Sequence, residues 1–116
     1  MEPGDVEGLE LDPYGPRIIV RLKPVWAEDV YIDASPDGVE AVMTLRAPRG
    51  LDTGVVEDKI GAVLEEEGIG EYDVSYDPEE GLLSITLLAR LLPELPPLRR
   101  LAEKASGMLN KLQGKG

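Results

Sequence analysis

Neither cysteine nor histidine occurs in these 116 residues, phenylalanine is absent too, and aromatic side chains make up only 4% of the chain. Without cysteine there is no disulfide framework and no thiolate zinc site. Without histidine the commonest neutral metal ligand and the usual general base are missing as well. No serine or threonine sits in a G-x-S-x-G setting, and no glycine pattern resembles a P-loop or a dinucleotide fingerprint. The sequence therefore offers no catalytic residue, no metal ligand and no cofactor motif, and reads as a chain that is not an enzyme. With 42% apolar residues but no phenylalanine, any core must be aliphatic, built from leucine, valine and isoleucine.

Long apolar runs are also missing. Arg90, Pro93 and Glu94 interrupt the longest one, so nothing reaches the roughly 18–20 residues of a membrane helix. The opening residues MEPGDVEGLE have neither the basic start nor the apolar stretch of a secretory signal, and cytoplasmic residence is the expectation. High acidity, few amide side chains and no cysteine are compatible with a thermophilic or salt-adapted cell.

What the chain does have is sorted charge. From Leu51 to Gly81 there are eleven acidic side chains and one lysine, whereas from Leu82 to Gly116 there are six basic side chains and two acids. The formal charge of -11 favours solubility and opposes contact with bare nucleic acid or anionic membrane unless positive charge is gathered on one face.

Residues 1–16 hold six glycines or prolines and five acids with no basic residue, a composition expected to form a flexible acidic arm ahead of a single domain spanning 17–116. From Arg17 to Lys23, Ile18, Val20 and Leu22 alternate with Arg17, Ile19, Arg21 and Lys23, the pattern of a half-buried strand. A second strand is expected over Asp29–Ala34. Ser35-Pro36-Asp37-Gly38 supplies a tight turn into a third, in which Val39, Ala41, Met43 and Leu45 share one face.

Asp52 or Thr53 can cap a helix whose apolar positions are Val55, Val56, Ile60, Val63 and Leu64, with Gly68 or Gly70 ending it. Glu65, Glu66 and Glu67 sit at its C-terminal end, where the helix dipole disfavours them, so a basic neighbour or the chain's general acidity has to account for them. Tyr72, Val74 and Tyr76 begin a second hairpin, closed by Leu83, Ile85 and Leu87. Leu101, Ala105, Met108, Leu109 and Leu112 then form the stripe of a last helix ending at Gly114. The expected fold is α+β: a two-layer sandwich of about five antiparallel strands, order βββαββα, with two helices on one face.

Several clusters could carry chemistry. Asp73-Val74-Ser75-Tyr76-Asp77 begins like a calcium loop, but Pro78 stands where glycine is needed and Ser84 where a bidentate glutamate is needed, so it reads as the polar side of a strand. The glutamates at 65–67, 79 and 80 form a run rather than a convergent pair and read as a solvated face. Arg17, Arg21 and Lys23, extended by Arg46, are candidate nucleic-acid contacts together with Arg99 and Arg100, although aromatic platforms for stacking bases are absent from that face.

The leucines are the strongest signal. Leu83, Leu87, Leu88, Leu91, Leu92 and Leu95 fall at both parities of a strand and its exit, and Leu101, Met108, Leu109 and Leu112 continue along the helix. A strand wet on one side does not need leucine on both, so this set is the candidate interface, pointing to a protein partner or a homodimer. A pocket between helices and sheet that holds a small molecule is a further expectation to weigh.

From Val39 to Leu112 the order strand, helix, strand, strand, helix, with Ala89, Leu98-Arg99 and Ser106 near the last helix, is similar to the small dimerising subunit of the KEOPS tRNA-modification complex. The likeness spans about two thirds of the chain. It departs from that family in a proline-rich insertion between Ala89 and Arg99 and in two extra strands before the shared part. The resemblance implies an RNA-associated adaptor, whereas the leucines taken alone imply a non-catalytic accessory subunit.

Overall fold

The computed structural model of the chain describes residues 6–12, 15–90 and 95–114, with side chains over 17–90 and 95–113. The elements in order are β1 (Val6–Asp12), β2 (Gly15–Leu22), β3 (Asp29–Ser35), β4 (Gly38–Arg46), α1 (Thr53–Glu66), β5 (Tyr72–Asp77), β6 (Leu82–Ala89) and α2 (Leu98–Gly114). All neighbouring strands run antiparallel in one sheet of order β1-β2-β3-β4-β6-β5. The expected α+β sandwich is what forms, and from β2 onward the order is βββαββα.

The sheet extends one strand beyond that expectation. Val6–Asp12, placed by composition in a flexible arm, pairs with β2 from Val6↔Val20 to Asp12↔Gly15, with a register shift between Val6 and Gly8. Glycine and acids in VEGLELD mask any clean alternation, and the partner strand supplies the order that local propensity does not.

Each element forms for local reasons. Ser35 and Gly38 close the β3–β4 turn as paired residues, and the Asp37 amide donates to Ser35 Oγ at 3.3 Å. Asp52 caps α1 by accepting from the Val55 amide at 3.0 Å. Gly68, at φ +83°, ends it: its amide reaches the Glu65 carbonyl, and the Ile69 amide reaches the Leu64 carbonyl. In the β5–β6 loop the Asp77 carboxylate accepts from the Glu79 and Glu80 amides at 3.0 and 3.2 Å, so it serves the turn rather than a calcium loop. Gly81 closes that loop at φ +69°, where a Cβ would come within 2.7 Å of the Ala47 carbonyl oxygen.

The core lies on one side of the sheet. Ala41, Met43 and Leu45 of β4 stand opposite Leu87, Ile85 and Leu83 of β6, with Val74 and Tyr76 of β5 and Val30 of β3 extending the layer. Val56, Ile60, Val63 and Leu64 of α1 and Leu101, Ala102, Ala105 and Leu109 of α2 are buried against it. Val55, expected on the same helix face, is instead 44% exposed. Helix α1 approaches β5 closely at Gly61, where a Cβ would meet the Tyr72 hydroxyl at 3.1 Å. No helix among the described residues is long and apolar enough to cross a membrane.

Truncating Ile85, wholly buried, to alanine is expected to cost about 3–4 kcal/mol in a denaturant titration. Thr86→Ala, one residue along on the other face, should stay within about 0.5 kcal/mol of the parent.

Candidate interaction face

Because the strands alternate, every second side chain projects from the side of the sheet opposite the helices, while Ile18 on the helix side of β2 is also exposed, at 47%. On that opposite side β2 presents Arg17, Ile19 and Arg21, β3 presents Asp29, Tyr31 and Asp33, and β4 presents Glu40, Val42, Thr44 and Arg46. Further across, β6 presents Leu82, Ser84, Thr86 and Leu88, and β5 presents Asp73, Ser75 and Asp77. The register aligns them in rows, one of which runs Arg21, Tyr31, Val42, Thr86, Asp73. Leu88 is 45% exposed, while Ile19, Tyr31, Val42 and Leu82 are half-buried.

The basic residues expected to track phosphate do share this side, but acids from other strands meet them. Asp33 accepts from the Arg17 guanidinium through two bonds, with Nε–Oδ1 at 2.9 Å. Hydrogen bonding and the charge of Arg17 hold the Asp33 carboxyl below the usual range, against a smaller opposing effect of burial. The Arg21 guanidinium lies 5.3 Å from the centre of the Tyr31 ring, and Arg46 pairs with Glu28. Lys23 is exposed one residue beyond the end of β2. Asp29 keeps one oxygen, Oδ1, shielded and without a hydrogen-bond partner. Bases on β2 are thus separated from Arg46 by the acids of β3, and no continuous positive surface results.

On the helix side, Arg99 pairs with Glu103 four residues on, and Arg100 pairs with Glu67 at the end of α1, Nε–Oε1 3.1 Å. Lys104 reaches the same carboxylate at 2.6 Å. That accounts for two of the glutamates at 65–67: Glu67 anchors α2 to α1, and Glu65 accepts from the Tyr72 hydroxyl. The bond from Lys104, aided by the charges of Arg100 and Lys104, lowers the Glu67 carboxyl below its ordinary value despite some desolvation. The bond to Glu65 raises the Tyr72 phenol, as do burial and the charges of Glu65 and Asp58.

The leucine set divides sharply. Leu83, Leu87, Leu101 and Leu109 are buried at 0–1% exposure in the chain's own core, so they offer nothing to a partner. Leu95, Met108 and Leu112 are half-buried against that core, and Leu88 alone of the set stands on the open face. Leu91 and Leu92 lie outside the described residues. Sequence reasoning set Ile19 on the basic strand face and Leu82 among the leucines but did not join them with Tyr31 and Val42 in one surface, because only the pairing of β2, β3, β4 and β6 assembles it.

A polar cleft of about 830 Å³ opens at one end of the sheet, lined by Asp33, Asp37, Glu40, Glu71 and Arg90 among others. It is wide, open and mixed in character, with Pro36, Val39, Leu88 and Ala89 beside the charged groups, and less enclosed than a typical ligand pocket. Among the described residues, no three acidic side chains gather as a metal would require. Comparison with protein-family models, with curated proteins and with solved structures gave no match.

Glu67→Gln is expected to lower the melting temperature at pH 7. A lowered carboxyl stabilises the fold above its unfolded pKa of about 4.3 and loses that effect as pH falls through the folded value. The gap between wild type and variant should therefore close below about pH 4, measured by thermal melts across pH.

Proposed function

We propose that this protein is a non-catalytic accessory subunit that joins an assembly through the open side of its sheet, including the outer face of the last strand, β6. The observation that carries the reading is the set of apolar side chains on the face away from the helices, half-buried Ile19, Tyr31, Val42 and Leu82 and exposed Leu88, which fall in three of its rows: Ile19 with Leu88, Tyr31 with Val42, and Leu82 beside Arg46. Antiparallel sheets tolerate one wet face, but that face is normally polar, and here leucine, isoleucine, valine and tyrosine interrupt the hydroxyls and charges. The hydroxyl-bearing centre, Thr44, Ser84 and Thr86, is low and flat enough for another surface to approach closely.

The reading as an RNA-associated adaptor draws less support, since acids lie beside Arg17, Arg46, Arg99 and Arg100 alike and the face as a whole carries more acids than bases. The reading as a small-molecule domain rests on the cleft alone, and that cleft is open and charged.

Tagged protein recovered under native conditions from its own cells should elute well above its 12.6 kDa mass, and Thr86→Arg should return it towards that mass without lowering its melting temperature. Elution at the chain's own mass in both cases would overturn the proposal.

A further inference from the structure

The outward side chains of the two central strands are self-complementary. Read along β4 they are Glu40, Val42, Thr44 and Arg46, and along β6 they are Leu82, Ser84, Thr86 and Leu88. Each series maps onto its own complement when reversed: acid to base and valine to threonine on β4, leucine to leucine and serine to threonine on β6. From this pattern, and building on the docking reading above, we propose that the occupant of the open face is a second copy of this chain. The two copies are related by a two-fold axis that crosses β4 between Val42 and Thr44, perpendicular to the strands.

The register fixes what such an axis brings together. Glu40 meets the partner's Arg46, Val42 the partner's Thr44, Leu82 the partner's Leu88 and Ser84 the partner's Thr86, each contact occurring twice, as an isologous interface demands. On β3, Tyr31 falls over the partner's Asp29, setting a phenol against a carboxylate. A two-fold parallel to the strands would stack Glu40 on Glu40 and Arg46 on Arg46 if it lay over β4, and would set both charges on leucine, Glu40 on the partner's Leu88 and Arg46 on the partner's Leu82, if it lay between β4 and β6. Charge selects the perpendicular axis.

The side chains involved are available for contact: Glu40 is exposed, and the Arg46 side chain is 81% exposed even with Glu28 beside it. Sheets packed face to face cross at about 30°, so their twist carries the edge strands apart, and the like charges the axis would otherwise bring together there, Arg21 with the partner's Lys23 and Asp77 with the partner's Glu71, stay in solvent. The chain's charge of -11 opposes self-association at long range. At physiological salt, however, the screening length is only about 8 Å, and the pairs in contact decide. Five strands spaced about 4.8 Å apart give a face roughly 20 Å across, at the small end of stable interfaces, so the dimer should be concentration-dependent.

Sedimentation equilibrium from about 1 to 200 µM at physiological salt, a range suited to a small interface, tests this. Wild type should be a dimer at the upper end. Glu40→Arg and Arg46→Glu should each weaken the dimer at least about tenfold, and the double variant should recover most of that loss. The cysteine-free chain also permits a register test. Val42→Cys chains mixed with Thr44→Cys chains should cross-link on oxidation, whereas Glu40→Cys chains, held about 20 Å from their mates, should not.

A wild type that stays monomeric overturns the second copy as occupant, and the mass of the native assembly then decides separately whether the face docks something else. Dimers indifferent to both single charge reversals, or Glu40→Cys chains that cross-link efficiently, overturn the proposed axis.

Discussion

A single aliphatic layer holds this molecule together, and nearly everything else follows from its being single. With no phenylalanine, the core relies on the interlock of Met43, Leu45, Leu83, Ile85 and Leu87 with Ile60, Leu64, Leu101 and Leu109, all at or below 1% exposure. Each such side chain contributes about 1.5–3 kcal/mol when withdrawn from water, so the alternation along β4 and β6 cannot slip by one residue without exposing the whole set. Among the described residues the two helices pack over the β4-β6-β5 end of one side of the sheet, leave Ile18 on the same side of β2 exposed at 47%, and lie away from the other side altogether. The open side is a direct result of how the core is built.

The electrostatics fit the same frame. Glu67, Arg100 and Lys104 join the two helices where α1 ends, and the carboxylate offsets the charge of a helix otherwise rich in arginine and lysine. On the sheet, Arg17 with Asp33 and Arg46 with Glu28 tie strands across the open side. Exposed pairs of this kind add little stability individually. Their larger effect is to neutralise what composition suggested was a basic patch, which shifts the surface from a phosphate track to a mixed face with local complementarity.

Much of the architecture was legible in the residues because it rests on short-range signals: alternation in Val39–Leu45 and Leu83–Leu87, the cap at Asp52, the stop at Gly68, the turn at Ser35–Gly38. What was not legible depends on partners distant in sequence. Strand β1 has weak alternation and forms through β2. The pairing of Glu67 with Lys104 joins residues 37 apart. The leucines misled for a related reason: at a strand exit and along a helix, periodicity shows that a residue is buried but not against what, and Leu83, Leu87, Leu101 and Leu109 are buried within this chain. The surface that remains is the one no local pattern could reveal, since its rows are assembled from five strands.

The central claim is that assembly covers the open side of the sheet and leaves the C-terminal helix in solvent. Hydroxyl-radical footprinting of the assembled and dissociated protein tests it most directly, with half-buried Tyr31 reporting on the sheet and half-buried Met108 on α2. The account predicts that assembly protects Tyr31 and Leu88 and leaves Met108 and Leu112 as reactive as before. Protection of Met108 and Leu112 with Tyr31 unchanged would contradict it.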